Sequence, residues 1–234
     1  MALPKLDTPT YTLDLPSTGE KIKYRPFLVK EQKLLMMAQE NDNDAEMANV
    51  MGDLVKACTF DKIEPKYSPM FDIEYIFLNI RGKSVGEIVE LTVTCPDDEE
   101  TKVKVDLNIE DINVQISDDH TNKIEITDNI SIVLRYPILD DVALLTGATE
   151  QKQMFSLLNN SILEIHDGDV IHKKTDMSKK ELSEFLDQLN TKQFEDVMNF
   201  FTTMPKLRHV IEVVNPKTKV TNHVILEGLA SFLG

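Results

Sequence analysis

Tryptophan is absent from this 234-residue chain, cysteine occurs only twice and glycine only eight times. Two thiols, Cys58 and Cys95, cannot build a disulfide framework, and alone they cannot supply the four ligands of a structural zinc site. The glycines form neither G-x-x-x-x-G-K-[ST] nor G-x-G-x-x-G, so no phosphate-cradling loop is legible. No G-x-S-x-G elbow marks a nucleophile, and H-E-x-x-H is missing. No apolar run approaches the roughly 18 residues that a membrane span needs. The start, Met1-Ala2-Leu3-Pro4-Lys5-Leu6-Asp7, has no long apolar stretch of the signal-peptide kind, which predicts a cytoplasmic protein.

Positive charge is also short. Against 40 acidic side chains stand 25 basic ones, a formal charge of −15. Such a surface repels phosphate backbones unless a basic patch is concentrated somewhere. The densest candidates, Lys173-Lys174 and Lys179-Lys180, are flanked by Asp176, Glu181 and Glu184 and read as a solvated helix start. Nucleic acid is therefore not an expected partner, and no cofactor is expected.

What is present is clear periodicity. Tyr11 to Leu15 and Lys21 to Phe27 alternate around the turn Pro16-Ser17-Thr18-Gly19, a hairpin. Helix is expected over Val29 to Gln39, with Leu34, Leu35 and Ala38 on one face. A second covers about Ala45 to Cys58, where Met47, Ala48, Met51, Leu54, Val55 and Cys58 form one stripe. A third begins at Ser68-Pro69, read as N-cap and N1, and ends near Gly82, apolar on most faces. Alternating runs follow at Val89–Cys95, Val103–Leu107, Ile112–Ile116, Ile124–Ile126 and Ile130–Leu134, read as one sheet with an apolar face. Then come mostly helices: Ser178 and Glu181 make a capping box, and Thr191 is placed to cap a helix whose inner face is Phe194, Val197, Met198 and Phe201. A last hairpin spans Leu207–Val214 and Val220–Leu226, before the apolar end Leu229, Ala230, Phe232, Leu233. The fold class is α+β: antiparallel hairpins and a central β-rich block packed with amphipathic helices. The expected division is 1–84, hairpin plus helices; 85–137, β-rich; and 138–234, helices closing in a hairpin. One continuous domain is the alternative.

The strongest metal candidate is His166-Asp167-Gly168-Asp169 with His172, but Asp-Gly between two β-like runs is first a turn. Cys95-Pro96 begins like a zinc knuckle, yet Asp97 and Asp98 follow where a second cysteine would stand, so no metal site is expected. The acidic run Asp97 to Glu100 reads as a solvated hairpin tip. Catalytic and cofactor-binding residues: none. Large apolar side chains off the inner stripes are candidate partner contacts, namely Tyr75, Phe200, Phe232 and Leu233.

Several segments together resemble one family, the baseplate hub proteins of T-even-type contractile-tailed phages. They are Lys23-Tyr24-Arg25-Pro26-Phe27 through Leu35, Phe71 through Gly86, Ile132-Val133-Leu134-Arg135-Tyr136-Pro137, Phe200 through Leu207, and Leu226-Glu227-Gly228-Leu229-Ala230-Ser231-Phe232, in family order. The resemblance implies a late viral product in hub assembly, with other hub proteins as partners and no catalytic residues to carry over. It implies residence in the host cytoplasm during assembly, and in the virion tail baseplate if the protein is retained. The resemblance implies a cysteine pair in some relatives where this chain has Cys95 alone, a departure that argues against a zinc-dependent feature here. A transient assembly chaperone, absent from the mature virion, is the alternative role; an unrecognised enzyme is a third. Self-association is left open. Phe232 and Leu233 either plug the chain's own core or dock on a hub partner, and Gly228, which lets the chain fold back, favours the first.

Overall fold

The computed structural model describes residues 6–41, 44–143 and 149–233. Among them are seven α-helices and eleven strands, all paired antiparallel, an α+β architecture. The chain divides into two units, one of residues 1–115 with 206–234, the other of residues 116–205.

The first unit opens with β1 (Tyr11–Asp14) and β2 (Lys21–Tyr24), which put Leu13 opposite Ile22. Helices α1 (Val29–Glu40), α2 (Asp44–Cys58) and α3 (Met70–Val85) follow. The α2 stripe is as its spacing predicts, with Ala48, Met51, Leu54, Val55 and Cys58 buried. Helix α3 is the spine, and Ile73, Ile76, Leu78 and Ile80 are fully buried. Its cap is Pro69, one residue later than expected, because the Ser68 hydroxyl donates back to the Glu64 carbonyl (3.0 Å) instead. Gly82 lets Ile109 approach within 3.4 Å of where a Cβ would sit.

The alternating runs do not make one sheet. Strands β3 (Ile88–Thr94) and β4 (Lys102–Asn108) pair only with each other. Strand β5 (Asn113–Gln115) joins the carboxyl-terminal hairpin, β10 (Lys206–Val214) and β11 (Thr221–Glu227). Strands β6 (Lys123–Glu125) and β7 (Ile130–Leu134) join β8 (Ile162–Asp167) and β9 (Val170–Lys173) in a four-stranded sheet of the second unit. The two compact units meet at 115/116 and 205/206. Alternation shows that a strand has a buried face; it does not name the strand's neighbour.

Helices α4 (Leu139–Ala143), α5 (Glu150–Ser161), α6 (Lys179–Leu186) and α7 (Thr191–Thr203) complete the second unit. Its core gathers Ile132, Leu134, Leu158, Ile162, Val197 and Phe200. The Ser178–Glu181 capping box forms as read. On α7, however, the cap is Asn190, whose side chain accepts from Gln193 (3.0 Å) while Gln193 returns the bond (3.0 Å). Along this helix Val197 and Phe200 are fully inward, while Phe194, Met198 and Phe201 pack at the edge of that core.

One junction is built twice. At the end of β2 the Arg25 N–H donates to the Cys58 carbonyl that ends α2 (3.0 Å). Its guanidinium donates to the Pro26 carbonyl (2.9 Å) and to Glu31 (3.0 Å), and Glu31 accepts the Leu28 N–H (2.7 Å) at the start of α1. At the end of β7 the Arg135 N–H donates to the Ser161 carbonyl that ends α5 (2.8 Å). Its guanidinium donates to the Tyr136 carbonyl (3.0 Å) and to Asp141 (2.6 and 3.1 Å), and Asp141 accepts the Ile138 N–H (3.0 Å). In both units an acid six residues after the arginine satisfies a backbone donor at a helix start, where four donors otherwise lack partners.

Candidate docking surface

The residues singled out for metal or nucleophilic chemistry do not converge. Gly168 and Asp169 form the β8–β9 turn, with Gly168 at φ +57° and Asp167 closing β8 opposite Val170. His166 pairs with Glu164 of its own strand (2.9 Å), and His172 lies on β9, every residue of which is exposed. Among the described residues no three His, Cys, Asp or Glu side chains are grouped to hold a metal ion. Burial pushes the Cys58 thiol up to about 11 and raises that of Cys95, the opposite of what a nucleophile needs. No helix among the described residues is long and apolar enough to cross a membrane.

The acidic run 97–100 is more ordered than a solvated tip. Asp97 accepts from Asn215 (2.9 Å), Asn222 (3.0 Å) and the Thr218 hydroxyl, and its own N–H donates to Asn222 (3.0 Å). The β3–β4 tip is thereby bound to the β10–β11 turn. The amide of Asn215, then the hydroxyl of Thr218, hold the Asp97 carboxyl below the usual carboxylate range.

Two further groups are tuned by burial. Glu74 on α3 is pushed up to about 7 because it is buried, although it accepts the Leu229 N–H. Its neighbour two turns on, Arg81, donates to the Leu233 carbonyl (3.2 Å), so α3 holds the carboxyl-terminal segment at two points. In the second unit the Thr203 hydroxyl donates to the Asn199 carbonyl (2.8 Å), so it accepts from His120 Nδ1 (2.9 Å). The Nε2 atom of His120 then accepts from the Tyr136 hydroxyl (3.1 Å). The ring also stacks on Tyr136, with Phe200 5.2 Å away. This neutral tautomer sits where burial lowers the His120 pKa, against a smaller opposing effect of Asp119.

The expected partner contacts divide. Phe200 is 1% exposed and Phe232 fully buried, so each fills the core of its unit. Tyr75 and Leu233 are half-buried. The exposed apolar surface lies mainly elsewhere. On the outward face of the β10–β11 hairpin, Val210 and Ile225 stand directly opposite each other, 41% and 55% exposed, with Val214 on the same face. On α1, Val29, Leu34, Met36 and Met37 are all more than half exposed. Glu31, paired with Arg25, is buried with Ala38 on the inner face, and Leu34 lies at the edge of that face, 52% exposed. Leu34 lines a groove of about 320 Å³ with Lys30, Val50, Asp53, Leu54 and Ala57.

Fold and surface together describe an α+β protein of two units, with apolar side chains exposed on α1 and on the β10–β11 hairpin. Residues 8–234 match the family described as T4 bacteriophage base plate protein, and the chain belongs to that family. Searches of curated proteins and of solved structures found no match.

Proposed function

We propose that this protein acts in assembly of the central hub of the phage tail baseplate, through protein–protein contacts and without catalysing a reaction. The observation that carries this reading, alongside family membership, is the outward face of β10–β11. A cross-strand valine–isoleucine pair with a further valine on the same face is costly to leave in water and stabilising once covered. Half-buried Tyr75 and Leu233 are proposed as further contacts, with Phe200 and Phe232 as packing beneath. The −15 charge favours another protein over nucleic acid as the partner. Assembly occurs in the host cytoplasm. The test is co-purification of tagged protein with hub components from infected cells, comparing wild type with Val210→Glu/Ile225→Glu. Loss of the hub components with unchanged melting supports the reading; unchanged capture removes this face from it.

The second reading, a transient chaperone of the hub, is favoured by Met36 and Met37, since unbranched thioether side chains adapt to more than one surface. Quantitative proteomics of purified particles separates the two. A stoichiometric presence in the tail supports a resident subunit, and absence with a normal intracellular complex supports a chaperone.

A further inference from the structure

Helix α1 is covered on one side only. Glu31 and Ala38 are its buried residues, and α2 is its principal neighbour. At 100° per residue, Val29, Lys33, Met36, Met37 and Glu40 occupy the opposite stripe, spaced i, i+4, i+7, i+8, i+11. All five are exposed, Val29 by 66%, Met36 by 54% and Met37 by 60%. The stripe is thus apolar at its centre, with one cation and one anion flanking it. Lys33 and Glu40 are seven residues apart, about 10 Å along the axis, too far to pair with each other. Neither forms an ion pair with another described residue.

We propose that this stripe is the contact between two copies of the chain, with α1 packed antiparallel on α1 of the second copy about a twofold axis. The argument is the symmetry of the sequence itself. A twofold axis that places Met36 opposite Met37 has its midpoint between them, and Lys33 and Glu40 are symmetric about that same midpoint. Each lysine then faces Glu40 of the second copy, so two equivalent ion pairs bracket a methionine centre. In a parallel arrangement Lys33 would face Lys33 and Glu40 would face Glu40, which is repulsive. An unrelated partner would have to supply an acid and a base at matching positions, whereas a second copy supplies both automatically. The −15 charge on each copy opposes association, but at physiological ionic strength its reach is about 8 Å. Two short helices bury less than a standard interface, so the dimer is weak and concentration-dependent. The β10–β11 face is not used, and the proposal does not rest on the assembly role.

The experiment is sedimentation of the full chain over a concentration series at physiological salt, with two charge reversals. Wild type is expected to shift from monomer toward dimer as concentration rises. Lys33→Glu and Glu40→Lys should each remain monomeric, since each sets like charges in both pairs. An equimolar mixture of the two variants should dimerise, because every pair is then opposite in sign. Circular dichroism should be unchanged throughout, as both side chains are exposed. A monomeric wild type at every concentration would overturn the proposal, even if the chain binds another baseplate protein through α1. So would dimerisation of both single variants, or a mixture that stays monomeric.

Discussion

Gln115 and Lys206 face each other across an antiparallel ladder, although the whole second unit, residues 116–205, lies between them in the chain. Val114 faces Leu207 and Asn113 faces Arg208 in the same register. The first unit therefore closes around two adjacent chain ends, and the second is an insertion at that point.

Replacing residues 116–205 by Asn-Gly, the dipeptide that closes two-residue hairpins, should leave a first unit that folds. Circular dichroism with a cooperative thermal transition checks this. A non-cooperative melt would show that the first unit depends on the second.

Removing either arginine of the repeated junction takes the better-buried cation from a buried acid; Glu31 then keeps only the exposed Lys30, at 3.3 Å. Glu31 and Arg25 have side chains only 7% and 12% exposed, so Arg25→Met should cost about 3 kcal/mol. Arg135 is 27% exposed, and water can partly replace it, so Arg135→Met should cost less. Burial acts to raise the Glu31 pKa, but the Arg25 and Leu28 hydrogen bonds prevail and lower it. This stabilisation is present above the ordinary glutamate pKa and is lost as pH falls through the folded value. Urea titrations across acid pH measure both effects.

Phe232→Ala should destabilise the protein by roughly 3–5 kcal/mol, since it removes a fully buried ring. Half-buried Leu233→Ala should cost less. Equal, negligible shifts in melting temperature would contradict the assigned burial and return Phe232 to the docking candidates.

Glu74 and His120 give pH dependences of the same kind from opposite directions. For Glu74 the folded pKa, about 7, lies above the unfolded value. The folded state thus holds a proton more tightly, and stability falls as pH rises from about 4.5 toward 7. Glu74→Gln, which keeps an acceptor for the Leu229 N–H, should melt higher than wild type at mildly alkaline pH. The advantage, on the order of 2 kcal/mol, should vanish in acid.

His120 acts in the other sense. Its folded pKa is depressed, so the contribution of the neutral ring is intact above about 6.5 and is lost as pH falls through the folded value. Proton uptake at Nε2 would set a donor against the Tyr136 hydroxyl hydrogen. An NMR titration of the imidazole should give a midpoint below that of an exposed histidine. A midpoint at or above the ordinary value would refute the buried-tautomer assignment.

Much of this was legible before the fold. The hairpins at 11–24, 162–173 and 206–227 follow from alternation and turn residues, and the α2 stripe follows from its spacing of three and four. Sheet membership was not legible, because β5 pairs with a strand ninety residues away and nothing local in Ile112–Ile116 encodes that partner. Helix faces were legible only in part. Glu31 is buried beside Arg25 while Leu34 stays half exposed at the edge of the same face, and on α7 Phe200 is buried although it lies off the expected stripe. The candidate surface was the least legible part, since an exposed valine and a buried one read alike in a strand.

The insertion also sets an order of events during synthesis. Helix α3 leaves the ribosome early, with Ile73, Ile76, Leu78 and Ile80 to bury, but β10 and the carboxyl-terminal turn that pack on it are made last. The second unit has every strand and helix it needs as soon as residue 205 emerges. The middle of the chain can therefore mature while its beginning, with α3 packed on α2 but only partly covered, waits for residues 206–234. Apolar surface exposed in that interval is prone to aggregation until β10 and the turn after β11 dock on α3.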